Sequence, residues 1–217
     1  MLDRTRERIG RGGPVTVVFY GDSISEVGRT PNYHGGATRP DRNWGAVLCA
    51  RLSAAFPPLT FVERHFAIGG QNTYEGLGRV DWLTPLFPDL VFLAFGANDC
   101  GYHYLLPRET RLALESLIDG VRSRTQADVA VLSTVCFNPL QPANSEHVEE
   151  TFAAQRAAAE AKQALFVDVR AAVMAATKQG ERWAEYHNGA ADCHPNDAGH
   201  ALWAATAFEA VRPHLAG

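Results

Sequence analysis

No apolar run in this chain approaches the ~20 residues that a bilayer-spanning helix needs, so membrane insertion is not expected. Excess positive charge is missing too: 20 Lys and Arg against 24 Asp and Glu leave a net charge of -4. That removes the electrostatic footprint of a nucleic-acid binder, and nucleic acid is not expected as a partner. The four cysteines, Cys49, Cys100, Cys136 and Cys193, form no C-x-x-C pair. Neither a zinc ribbon nor a dense disulfide framework is therefore indicated, and free thiols are expected. The N-terminal MLDRTRERIGRGG carries no apolar h-region, so no secretory signal is read there and a cytoplasmic location is expected. Repeats, low-complexity tracts, dividing linkers and a phosphate-cradling P-loop are all missing, and residues 1–217 are read as one domain.

What the chain does have is alternation. Five short apolar runs bounded by breakers read as buried parallel strands: PVTVVFY (14–20), LTFVERHFA (59–67), DLVFLAFG (89–96), ADVAVLSTV (127–135) and ALFVDV (164–169). Helical patterns lie between and after them. NWGAVLCARLSAAF offers Asn43 as N-cap and a core face of Trp44, Val47, Leu48, Leu52 and Ala55. PRETRLALESLIDGVRSRT starts at Pro107 and spaces Leu114, Leu117, Ile118 and Val121 toward a core. TFAAQRAAAEAKQA is rich in alanine, and the last helix is capped by Asn196 or Asp197 and expected to stop near Pro213. This is the pattern of an α/β fold, a three-layer α/β/α sandwich around a five-stranded, flavodoxin-like parallel sheet.

In such sheets chemistry gathers on the loops leaving the C-terminal strand ends. Here the loops after the first three strands and the segment before the last helix carry groups of catalytic type. Ser23 follows the first strand in a Gly-Asp-Ser turn, and Gly69-Gly70 follow the second, where a backbone N–H is approachable. Asn98 follows the third, and His194 precedes the last helix. A serine hydroxyl needs a base to take its proton and donors for the oxyanion, and these residues supply both kinds. Singly each has a plainer reading: a strand-end turn, a tight turn, a helix cap and a surface histidine.

Together, and in this order, GDSIS (21–25), IGGQNT (68–73), GAND (96–99) and HPNDAGH (194–200) resemble the four sequence blocks of the SGNH (GDSL) hydrolases. The resemblance spans nearly the whole chain. It implies Ser23 as nucleophile and His194 as general base, with the backbone N–H groups of Ser23 and Gly70 and the Asn98 side chain forming the oxyanion hole. It further implies a carboxylic ester hydrolase, an esterase or lipase/acylhydrolase, working on a small-molecule ester through an acyl-enzyme, with no cofactor and no metal. In one place the chain departs from the family. The usual aspartate three residues before the histidine is replaced by Ala191, and Asp192 stands one place later. Asp192 is taken as the acceptor for the imidazole Nδ1–H; a backbone carbonyl or Glu185 is the alternative. Asp22 and Asp99 are read as turn-end carboxylates, and Asp197 as a cap.

Substrate contacts are expected from Tyr33, His34, Tyr102, His103 and Trp183, whose aromatic and hydrogen-bonding mix suits a sugar ring or small polar alcohol. A short-chain acyl esterase, first of all a carbohydrate O-acetylesterase, is therefore expected. A lipase, lysophospholipase or thioesterase is the alternative within the family, and a catalytically silent binding domain the alternative outside it.

Overall fold

The computed structural model describes residues 1–27, 40–101, 105–133, 137–141 and 147–216. Five strands, β1 (Val15–Gly21), β2 (Phe61–His65), β3 (Leu90–Ala94), β4 (Asp128–Leu132) and β5 (Leu165–Val167), form one parallel sheet in the order β2-β1-β3-β4-β5. Helices cover both faces, so the central strands β1 and β3 are buried on two sides and read as continuous apolar runs, whereas the edge strand β2, FVERH, leaves Arg64 exposed.

Within β1, side chains alternate between two cores. Val17 and Phe19 join Trp44, Leu48, Leu90, Phe92 and Trp203 on one face. Val18 and Tyr20 join Val91, Leu93, Leu117 and Val131 on the other. The first face is covered by α2 (Trp44–Ala55), α7 (Val169–Ala176) and α8 (Asp197–Leu215), the second by α5 (Pro107–Thr125) and α6 (Val148–Ala161). Each fully buried Leu or Phe contributes about 1.5–3 kcal/mol to holding the layers together.

The predicted N-cap of α2 is in place, with Asn43 Oδ1 accepting from Gly45 N at 3.0 Å. Ala55 is exposed at the last turn of that helix rather than on its core face. α8 is capped by Asn196 and runs through Pro213 to the buried Leu215. So close to the end of a helix proline forfeits one backbone bond, and burial of the last turn offsets it.

Three short elements had no clear sequence signal. α1 (Asp3–Arg11) is charged almost throughout and docks through Leu2 and Thr5, whose hydroxyl donates to Asp128 Oδ2 at 2.7 Å. α3 (Thr73–Leu77) and α4 (Ala97–Gly101) are single turns fused to the loops after β2 and β3.

Strand order then decides where the loops meet. β1 lies between β2 and β3, and the chain leaves it toward both sides, so the crevice of the sheet opens at the C-terminal ends of these three strands. Gly21 is paired with Ala94, and a Cβ on Gly21 would stand 2.5 Å from the Ala94 carbonyl oxygen. Only glycine lets the two strand ends close to this distance, and the segments bearing Ser23 and Asn98 start from that pair.

Candidate active site

Beyond Gly21 the chain turns sharply around Asp22. Its Oδ1 accepts from Ile24 N at 3.0 Å and its carbonyl from Ser25 N at 3.1 Å, leaving Ser23 at the apex. The turn is clamped from below: Trp44 Nε1 donates to Ser25 Oγ at 3.1 Å, and His65 Nδ1 lies 3.1 Å from Ser25 O. Asp22 is wholly buried, and burial pushes its carboxyl up to about 7, with the Ile24 bond pulling the other way and the nearby Asp99 adding to the rise.

Ser23 Oγ sits 2.9 Å from His194 Nε2. Across the ring, His194 Nδ1 sits 2.8 Å from Asp192 Oδ1, the same oxygen that accepts the His194 backbone N–H at 2.8 Å. The structure therefore brings Ser23, His194 and Asp192 into one hydrogen-bonded chain despite the alanine at 191. Glu185 is instead engaged at the surface by Arg182.

The histidine loop has its own supports. Asn188 N donates to His194 O at 3.1 Å, and Asn196 N to Tyr186 O at 3.0 Å. Trp183 Nε1 donates to Asp192 O at 2.7 Å. Trp183 is only 1% exposed and stacks on the buried His187 at 3.7 Å between ring centroids. The residue expected to touch substrate thus lies under the Asp192 turn. His200 is buried in α8, and its Nδ1 accepts from Trp44 N at 3.3 Å. Burial holds both His187 and His200 down at about 4.

On the other side of Ser23 stand the candidate oxyanion donors. Gly70 has φ +81°, a backbone that side-chain-bearing residues rarely adopt, and nothing crowds its Cα face. Glu26 Oε2 holds the preceding Gly69 N at 3.1 Å. Asn98 lies in the first turn of α4, and its Nδ2 donates to Gln71 O at 2.9 Å. Asn72 closes a capping box with Glu75, the two side chains accepting from each other's backbone at 3.0 and 2.9 Å. Asp99 ties this region together by accepting from Thr73 N and Thr110 Oγ1, each at 3.1 Å, and burial raises its carboxyl above the ordinary range.

Arg79 belongs to none of the sequence motifs. It is 5% exposed and its Nε donates to Gln71 Oε1 at 2.6 Å. The available signal was a lone cation inside the apolar stretch GLGRV.

Tyr33, His34, Tyr102 and His103 lie outside the described residues, as does Cys136. Cys49, Cys100 and Cys193 are free thiols. Cys193 Sγ is 3.6 Å from His194 Nδ1, and burial foremost, with Asp192 adding, pushes the thiol up to about 12. Asp192, Cys193 and His194 offer ligand atoms within 4.8 Å of one another, the one such group among the described residues. Two of those atoms, Oδ1 and Nδ1, are already bonded to each other, so a metal there would have to break that contact.

Comparison with known proteins adds three findings. A sequence model of the GDSL-like lipase/acylhydrolase family matches residues 19–202. Among curated proteins none matches the chain by sequence. Solved structures with the same fold include a two-domain esterase active on acetylated mannans, 21% identical with a TM-score of 0.79, which covers 100% of this chain while this chain spans 53% of it. They also include an acetylxylan esterase from Geobacillus stearothermophilus, at 21% identity and TM-score 0.73 over 92% of this chain and 95% of the other. A lipase/acylhydrolase from Enterococcus faecalis is 19% identical, with a TM-score of 0.71 over 93% and 97% of the two chains.

Proposed function

The chain belongs to the GDSL-like lipase/acylhydrolase family, carboxylic ester hydrolases, and from that premise we propose that it is a serine esterase for short acyl esters, O-acetyl groups on carbohydrate foremost, with Ser23 as nucleophile. The observation that carries the reading is the continuous hydrogen-bonded chain Ser23 Oγ, His194 Nε2, His194 Nδ1, Asp192 Oδ1, with contacts of 2.9 and 2.8 Å.

With Nδ1–H donated to Asp192, Nε2 is the lone-pair nitrogen and receives the Ser23 hydroxyl. On attack, Oγ bonds to the ester carbonyl carbon while its proton passes to Nε2. The carbonyl electrons move to oxygen, and that oxyanion is met by the N–H groups of Ser23 and Gly70 and by the Asn98 amide. Collapse expels the alcohol, which takes the proton from Nε2 and leaves an acyl-enzyme. Water, deprotonated by the same nitrogen, then releases the acid and restores Ser23. Asp192 fixes the tautomer and stabilises the imidazolium between the two steps. A binding domain without catalysis would have no need for a serine held on the unprotonated nitrogen of an oriented histidine.

The acyl preference is supported by likeness of fold to the enzymes on acetylated mannans and xylan. Initial rates on p-nitrophenyl esters from acetate to octanoate, for wild type beside Ser23→Ala, test both parts. Rates highest on acetate and lost in the variant are expected, followed by release of acetate from acetylated oligosaccharides. Rates climbing toward octanoate would move the substrate to lipid or thioester. Equal rates in wild type and variant would remove Ser23 from the mechanism.

A further inference from the structure

Arg79 is a buried cation whose hydrogen-bond partners here are oxygens of uncharged groups. Its Nη1 donates to Phe66 O at 2.8 Å, its Nη2 reaches Gly21 O at 3.5 Å, and its Nε donates to Gln71 Oε1 at 2.6 Å. Its guanidinium lies over the rings of Tyr20 and Phe66, 4.5 and 4.7 Å from their centroids. Taking a charge out of water costs several kcal/mol, so the location calls for an explanation. The three acceptors give one. Gly21 ends the strand that leads into Ser23, Phe66 follows the end of β2, and Gln71 directly follows Gly70. A planar fork with five N–H groups reaches these spread acceptors from fixed positions, whereas a lysine ammonium offers three donors from a single point.

Gln71 then passes the constraint on. Its side chain is held by Arg79, while its own backbone carbonyl accepts from Asn98 Nδ2 at 2.9 Å. That bond uses one of the two hydrogens on the Asn98 amide nitrogen and fixes the plane in which the second points. We propose that Arg79 and Gln71 are positioning residues that act through Asn98, orienting its remaining N–H for the oxyanion. The inference rests on the reading of Asn98 as an oxyanion donor.

The test is a double-mutant cycle on kcat/KM for p-nitrophenyl acetate. Gln71→Leu removes the side-chain acceptor at a half-buried site and leaves the backbone carbonyl in place. It should lower kcat/KM about 10-fold in the native background and less than about 2-fold when Asn98 is already alanine, because a misaimed donor matters only while the donor exists. Arg79→Lys should show the same coupling to Asn98. Equal losses in both backgrounds would reduce Arg79 and Gln71 to structural residues and overturn the inference, as would an unchanged kcat/KM in Gln71→Leu. Should Arg79→Lys not fold, Gln71→Leu alone decides. An Asn98→Ala enzyme as fast as wild type would remove the oxyanion assignment itself, and this inference with it. That outcome is distinct from uncoupled losses, which leave the assignment standing.

Discussion

Asp192 Oδ1 accepts twice from His194, once from its backbone N–H and once from its ring, both at 2.8 Å. The two residues are only two positions apart. The first bond closes a tight Asx turn, and the turn aims the carboxylate at the ring of the residue it has just caught. An aspartate at position 191 is therefore not needed for the histidine to have its carboxylate. The turn is anchored at Asp192 O by Trp183 Nε1. Asp192→Asn retains an acceptor oxygen but can also present an amide N–H to Nδ1, favouring the wrong tautomer. Loss of about 10³–10⁴-fold in kcat, with the melting temperature near wild type, is the expected result. Retention of most of the activity would pass the orienting role to another acceptor.

Asn98→Ala removes a side-chain donor from the expected oxyanion hole. A lost donor of this kind typically costs about 2.7–4 kcal/mol of transition-state stabilisation, or about 100- to 1,000-fold in kcat. The alanine also frees the Gln71 carbonyl, so circular dichroism and a thermal melt should accompany the kinetics. Wild-type turnover in a folded variant would strike Asn98 from the mechanism.

Trp183 separates two roles that sequence alone merged. The sequence places it among the substrate contacts for its aromatic face and its hydrogen-bonding N–H. In the structure its indole N–H is spent on Asp192 O and its ring on His187. Trp183→Phe keeps a ring and deletes the N–H. It should lower kcat/KM about 2- to 10-fold, the range of one net hydrogen bond, and by the same factor on acetate and octanoate esters. A changed ratio between the two esters would return Trp183 to the substrate.

Why some of this could be read from sequence and some not has a physical basis. Strands buried on both faces must be apolar throughout, so β1 and β3 were plain, and even the edge strand β2 showed through its short run between breakers; so did the core face of α5. The Gly-Asp-Ser turn, the glycine loop and the asparagine turn were visible because their residue types are restricted by backbone geometry and by chemistry at once. Arg79 was not, since its role comes from three carbonyls separated along the chain and gathered only by folding. α1 escaped because Leu2, its buried anchor, precedes a helix that is otherwise charged and docked through Thr5 to Asp128. The helix end beyond Pro213 escaped because proline was read as a stop, whereas burial of Leu215 outweighs one missing N–H.

The buried titratable groups predict how stability responds to pH, and they pull in opposite directions. His187 and His200 are held at about 4 in the fold against an ordinary 6.5, and neither Nε2 has a hydrogen-bond partner among the described residues. Their neutral forms are favoured by folding, so their contribution is full above about pH 6.5 and is lost as pH falls toward 4, about 3 kcal/mol for each. Asp22 is the reverse. Its carboxyl is held at about 7 against an ordinary 3.8, and Oδ2 has no partner among the described residues. The folded chain keeps that proton after the unfolded chain has released it, so its contribution is full below about pH 4 and is lost as pH rises through 7, about 4 kcal/mol in all. Between pH 4 and 6.5 the histidines and Asp22 pull in opposite directions, with His65 adding to the first and Asp99 and Glu63 to the second. Asp22→Asn deletes the opposing term while keeping an acceptor for Ile24 N. Urea unfolding at pH values from 4 to 8 should therefore show the variant gaining on wild type as pH rises, with the gain levelling off above about 7. On the acid side it should lose ground to wild type. A difference independent of pH would mean that Asp22 keeps an ordinary carboxylate in the fold.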